Sequence, residues 1–114
     1  MQQVIIEPVS NRADWIDQVE VRDDDTDALV DLTGAVIVLA VRDRKAQQQR
    51  LLAQTGDSSI VIVGTGVFQF TFPVSAMRGM DVSRAYDVGC TIQLGGVTQQ
   101  FFIGSVNVLD GIVP

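Results

Sequence analysis

Side-chain polarity alternates with a period of two through most of this chain, and that period selects strands over helices. In "GVFQFTFP", Phe68, Phe70 and Phe72 share one parity, with Gln69 and Thr71 on the other. In "AYDVGCTIQLG", Tyr86, Val88, Cys90, Ile92 and Leu94 form an apolar row opposite Asp87, Gly89, Thr91 and Gln93. Trp15, Val19 and Val21 repeat the pattern in "WIDQVEVRD", where Asp17 interrupts the inner row and marks an edge or a bulge. Each is the signature of a strand with one face on a core and one toward solvent.

Two runs break the alternation. "AVIVLAV" (35–41) and "IVIV" (60–63) are apolar at both parities, which predicts strands covered on both faces, the second cover coming from a neighbouring subunit. The last strand, "TQQFFIGSVNVL", sets Phe102, Val106 and Val108 on one side and Phe101 and Ile103 on the other, so one face belongs to the core and the other forms an interface-sized patch. Turn signals separate the runs: the acidic stretch 23–31, Gly56-Asp57-Ser58, Gly64-Thr65-Gly66 and, as the strongest hairpin signal, Gly95-Gly96. Pro73 ends a strand, and "VSAMRGMD" (74–81) predicts a short helical turn with Ser75 as its N-cap. Segment 42–55, "RDRKAQQQRLLAQT", leaves two readings open. Its composition favours a helix, while its place directly after a strand favours a hairpin with a Gln-rich loop.

At 114 residues without repeats or linkers, the chain is expected to form one domain over 1–114. The expected fold is all-β: an antiparallel, Ig-like β-sandwich of seven or eight strands with one short helical turn. Trp15, Phe68, Phe70, Phe72, Tyr86 and Ile92 are its expected core.

Charge and composition narrow the function classes. The net charge is −6 with no histidine. That argues against nucleic acid and against an anionic membrane surface as partners. No apolar run approaches the ~20 residues of a membrane span, and "MQQVIIEPVS" lacks the basic start and h-region of a signal peptide. Without histidine, and with Cys90 as the one cysteine, neither a zinc site nor an activated nucleophile is expected. Cys90 falls on an apolar row and should be a buried thiol. "GTG" (64–66) lacks the lysine and helix start of a phosphate loop. The chain therefore does not read as an enzyme, and no cofactor is expected.

"DDDTDALVD" (23–31) bears on metals. Asp23, Asp25, Asp27 and Asp31 match positions 1, 3, 5 and 9 of a calcium loop, but Ala28 replaces the glycine and Gly34 the bidentate glutamate. They are weak metal candidates beside the reading as a solvated hairpin tip. Charge is also segregated. Acids crowd the first third, whereas Arg42, Arg44, Lys45 and Arg50 fall within nine positions. If these loops occupy different poles, the domain is dipolar, and dipolar subunits can associate head to tail into rings; the plainer reading is that both stretches are simply solvated loops. Phe101, Ile103 and the basic 42–50 segment (Arg42, Arg44, Lys45, Arg50) are the expected interface contributors.

Several segments together resemble a family. "IIEPVSNRADW" leads through Asp14-Trp15 to an acidic hairpin and then "DLTG" (31–34) before the next strand. An "I-x-I" strand, a "G-x-F-x-F" strand, Ser75-Ala76, Tyr86-Asp87 and an "F-x-G-x-V-x-V" ending from Phe102 to Val108 follow. The pattern is similar to small structural proteins of tailed phages and prophages, in particular the N-terminal domain of baseplate upper proteins and related tail modules. A Gln-rich segment (46–49) replaces the usual Gly-containing turn. The resemblance implies a virion protein made in the bacterial cytoplasm, tail- or baseplate-associated, that assembles with other virion proteins as a homo-oligomer or ring. It also implies polar, variable residues at the acidic hairpin. Two alternatives stay open: a capsid decoration or head-associated β-domain, and a carbohydrate- or calcium-binding adhesion module.

Overall fold

The computed structural model describes residues 2–82 and 84–113, with residues 2–5 as backbone only. In chain order the elements are β1 (Gln2–Ile5), β2 (Val9–Ser10), β3 (Trp15–Glu20), β4 (Val36–Asp43), β5 (Gln48–Gln54), a 3-10 turn (Thr55–Asp57), β6 (Ile60–Gly64), β7 (Val67–Phe72), α1 (Val74–Met77), β8 (Ala85–Leu94) and β9 (Val97–Leu109). The larger sheet runs β1-β9-β8-β4-β5 with β2 also beside β9, and the smaller runs β3-β7-β6. The two sheets form a β-sandwich, as the alternation predicts.

One departure from the antiparallel expectation lies at the N-terminus. β1 and β2 both pair parallel to β9, opposite 102–105 and 108–109, so they act as one edge strand interrupted at Glu7-Pro8. A parallel pair needs a long connection, and nearly the whole chain intervenes here. β9 has thirteen residues, a span of ~43 Å. It accounts for the 44 Å long axis against 24 and 22 Å for the others.

The core forms where the apolar rows of the sheets meet. Ile37, Leu39 and Val41 of β4, Tyr86, Val88, Cys90 and Ile92 of β8, and Phe68, Phe70 and Phe72 of β7 are all buried. Trp15 packs edge-on against Phe70, with ring centroids 5.3 Å apart. Asp17, the residue that interrupts the β3 row, accepts the Trp15 indole N–H at 2.8 Å, so the edge strand supplies the polar partner a buried tryptophan needs. Burial pushes the Cys90 thiol up to about 12, as expected for a sulfur packed as a small apolar group.

Segment 42–55 resolves as a hairpin. β4 pairs with β5 from Val38↔Gln54 to Asp43↔Gln48, and Gln47 takes the left-handed turn position at φ 55°. The helical turn after Pro73 is present but differently capped. Pro73 is the N-cap, Ser75 lies inside the turn, and the Val74 N–H is accepted by Asp14 Oδ1 at 2.6 Å. The acceptor comes from 60 residues away, which no local capping pattern signals.

Candidate assembly surfaces

Charge is sorted toward the two ends of the larger sheet. β4 and β8 pair antiparallel from Val36↔Gln93 at one end to Asp43↔Tyr86 at the other. The first end carries the Gly95-Gly96 hairpin turn, whose flanking residues Leu94 and Val97 line a cleft of about 410 Å³ together with Asp23, Asp24 and Asp25. The acidic stretch therefore sits at this end. Its fold is a closed tip. Asp23 Oδ1 accepts the N–H groups of Asp25 (2.8 Å) and Thr26 (3.2 Å), Arg22 bridges to Leu29, and Asp27 turns through φ 57°.

The four candidate metal ligands are spent or dispersed. Asp23 closes the turn, while Asp31 accepts both the N–H and the hydroxyl of Thr33, which hold its carboxyl below the usual range. Among the described residues no three histidine, cysteine or acidic side chains gather as a metal-holding group.

The other end gathers most of the basic residues. The β4–β5 turn brings Arg42, Arg44, Lys45 and Arg50 together with Arg78 and Arg84 on the segment leading into β8. That gathers six of the eight basic residues of the chain around Asp43, Asp81 and Asp87, at the end of the sheet where Asp110 follows β9 and Asp14 meets α1. Arg44 pairs with Asp87 at 2.8 Å and Arg42 reaches the same carboxylate at 3.9 Å. Arg84 pairs with Asp43 at 3.0 Å and with Asp81 at 3.3 Å. Arg50 donates to the Gly79 carbonyl at 2.5 Å. Lys45 makes no ion pair among the described residues.

Phe101 and Ile103 do not share a surface. Cys90 pairs with Phe102 and Thr91 with Gln100, so Phe101 is the extra residue of a β-bulge. The bulge swings Phe101 toward the inner side, where it is half-buried against Phe102 (centroids 5.7 Å) and lines the same cleft as Leu32 and Ile92. The Gln100 side chain donates to the carbonyls of Cys90 (3.1 Å) and Phe102 (3.0 Å) across the irregularity. Simple parity misassigned Phe101 because a bulge shifts the period by one. Ile103 stays on the outer face, 43% exposed. It lies in a row that crosses the sheet through Gly89 and Ala40 to the exposed Leu52.

The double cover expected for 35–41 and 60–63 differs between the two runs. In β4 the outward Val38 and Ala40 are half-buried beside Thr91, Gly89 and Leu52, and Val36 is exposed. In β6 only Ile60 is buried; Val61 is 49%, Ile62 37% and Val63 48% exposed. Continuous apolar sequence cannot distinguish a covered central strand from an open edge. No helix among the described residues is long and apolar enough to cross a membrane. No protein-family model matches the chain, and no curated protein sequence matches it.

Proposed function

We propose that this chain is a structural subunit of a tailed phage or prophage particle, tail- or baseplate-associated, that works by protein–protein assembly and not by catalysis. The observation that carries the assembly reading is the separation of charged clusters: basic side chains concentrated at the β4–β5 turn and an acidic tip beside the β8–β9 turn. Seven residue steps of β4 separate these ends, ~23 Å. The Debye length at physiological ionic strength is ~8 Å. The poles therefore do not neutralise each other within one molecule, and each is available to an opposite pole on another. Such a heterologous contact, repeated, closes rings.

The resemblance in "DLTG", Asp14-Trp15 and the 102–108 ending supplies the particle reading. Mass spectrometry of tailed particles purified from the encoding strain tests it directly. The chain is expected at a stoichiometry repeated per particle. Its absence from intact particles carrying their tails overturns the assignment.

A further inference from the structure

Along one side the two sheets leave a seam between them. One wall is β3, the end strand of the smaller sheet; the other is the chain from Ile6 into β2, with β9 behind it. Three clefts of about 410, 230 and 460 Å³ follow one another there. The first and second share Phe101, and the second and third share Ile6 and Asp17. The floor is apolar: the buried Phe70 and Phe102 meet the half-buried Ile6, Val19 and Phe101. The rim is acidic. Glu7 and Asp14 stand at one end and Asp17 and Glu20 along β3, while Asp23, Asp24 and Asp25 stand at the other end. These are half of the 14 acidic residues of the chain. Arg22 is the one cation among the described lining residues, and it is taken up by Glu20 at 3.2 Å and by the Asp27 carbonyl at 2.9 Å.

We infer that this seam receives an extended segment of another protein in which lysine or arginine alternates with apolar residues. β3 pairs with β7 alone among the described residues, so a segment can run beside its open edge. Side chains of an extended segment alternate between two sides, which sets apolar ones on the Phe101 floor and cations against the carboxylates. Charge decides the occupant. Carboxylates along an edge repel an acidic strand and select a cationic one. A second copy does not supply it. Of the edge strands a copy could offer, β5 alone carries a basic residue, Arg50, and that guanidinium already donates to the Gly79 carbonyl at 2.5 Å. The net charge of −6 also opposes a copy and draws in a cationic partner. Such a contact lies beyond the pole-to-pole one, which uses only the acidic tip.

The test is a titration of the full chain with synthetic peptides KVKVKVK, KSKSKSK and EVEVEVE, followed by NMR amide shifts. KVKVKVK is expected to move amides of 6–10, 14–25 and 97–102 and to leave 60–63 in place. It should bind more tightly than KSKSKSK, and EVEVEVE should not bind. Glu7, Asp24 and Asp25 are exposed, and their carboxylates make no ion pair among the described residues. Glu7→Gln with Asp24→Asn and Asp25→Asn should weaken KVKVKVK by about tenfold, the loss of three exposed ion pairs. The amide spectrum of the variant reports in the same experiment that it is folded. Equal binding of KSKSKSK would show general attraction to an acidic protein and overturn the seam as the site. Shifts scattered over the surface, no binding of KVKVKVK, or an unchanged affinity in the folded variant would overturn it as well. Seam shifts that appear on raising the protein concentration without peptide would assign the seam to a second copy and overturn the choice of occupant.

Discussion

Asp43 occupies a position that the alternation of β4 reserves for an apolar side chain, after Ile37, Leu39 and Val41, and it is 1% exposed. Its carboxylate accepts the N–H groups of Ala46 (3.1 Å) and Lys45 (2.9 Å) and pairs with Arg84 (3.0 Å). The Ala46 N–H is the largest influence, and with Arg84 and the Lys45 N–H it outweighs desolvation to hold the carboxyl below its ordinary value of 3.8. A depressed carboxyl stabilises the fold above its unfolded value, and that contribution is lost as pH falls through the lower folded value. Asp31 and Asp57 act with the same sign, through Thr33 and Ser59. Stability measured by urea unfolding should therefore be level near neutrality and fall below pH ~4. Asp43→Asn should be less stable at neutral pH and lose less on acidification. An unchanged acid slope in that variant would remove Asp43 from the account.

At the scale of elements, most of the sandwich was legible because one face of each strand is buried. The alternation of β7 and β8 located the core, and Gly95-Gly96 located the β8–β9 hairpin, with both glycines at positive φ (62° and 82°). The hairpin over 42–55 overrode helical composition because Leu51 and Ala53 fill inner positions opposite β4. What the sequence hid were effects of register and distance. The bulge at Phe101 reverses local parity, and Asp14 caps α1 from across the fold. The exposure of β6 depends on which strand has a second neighbour. Gly66 shows how closely two turns are fitted. It lies at φ 70°, its carbonyl accepts the Val21 N–H at 2.7 Å, and an added Cβ would approach Leu29 Cβ to 2.8 Å. Gly66→Ala should lower stability by about 1–3 kcal/mol, from the left-handed backbone cost alone, and more where Leu29 cannot yield. Thermal unfolding checks this, and a shift toward higher stability would contradict the packing of the acidic tip on the β6–β7 turn.

At the scale of the whole molecule, basic side chains cluster at one end of the larger sheet and the acidic tip sits at the other, while the net charge of −6 opposes the approach of any two copies. Unlike poles then meet in preference to like ones, which sets a direction for assembly as well as a strength. The outer row from Leu52 to Ile103 and the cleft that Phe101 lines add apolar area beside these poles. Exposed ion pairs contribute ~0–1 kcal/mol each, so several must act together in any contact that persists. Their common signature is salt dependence. The deciding measurement is light scattering of the intact chain at one fixed protein concentration while sodium chloride is raised from about 0.02 to 0.5 M, over which screening shortens from more than ~20 Å to less than ~5 Å. The pole-to-pole account predicts a mass well above 12.4 kDa at low salt that falls steadily as salt rises. A mass that is the same at every salt concentration, whether monomer or larger, would contradict it.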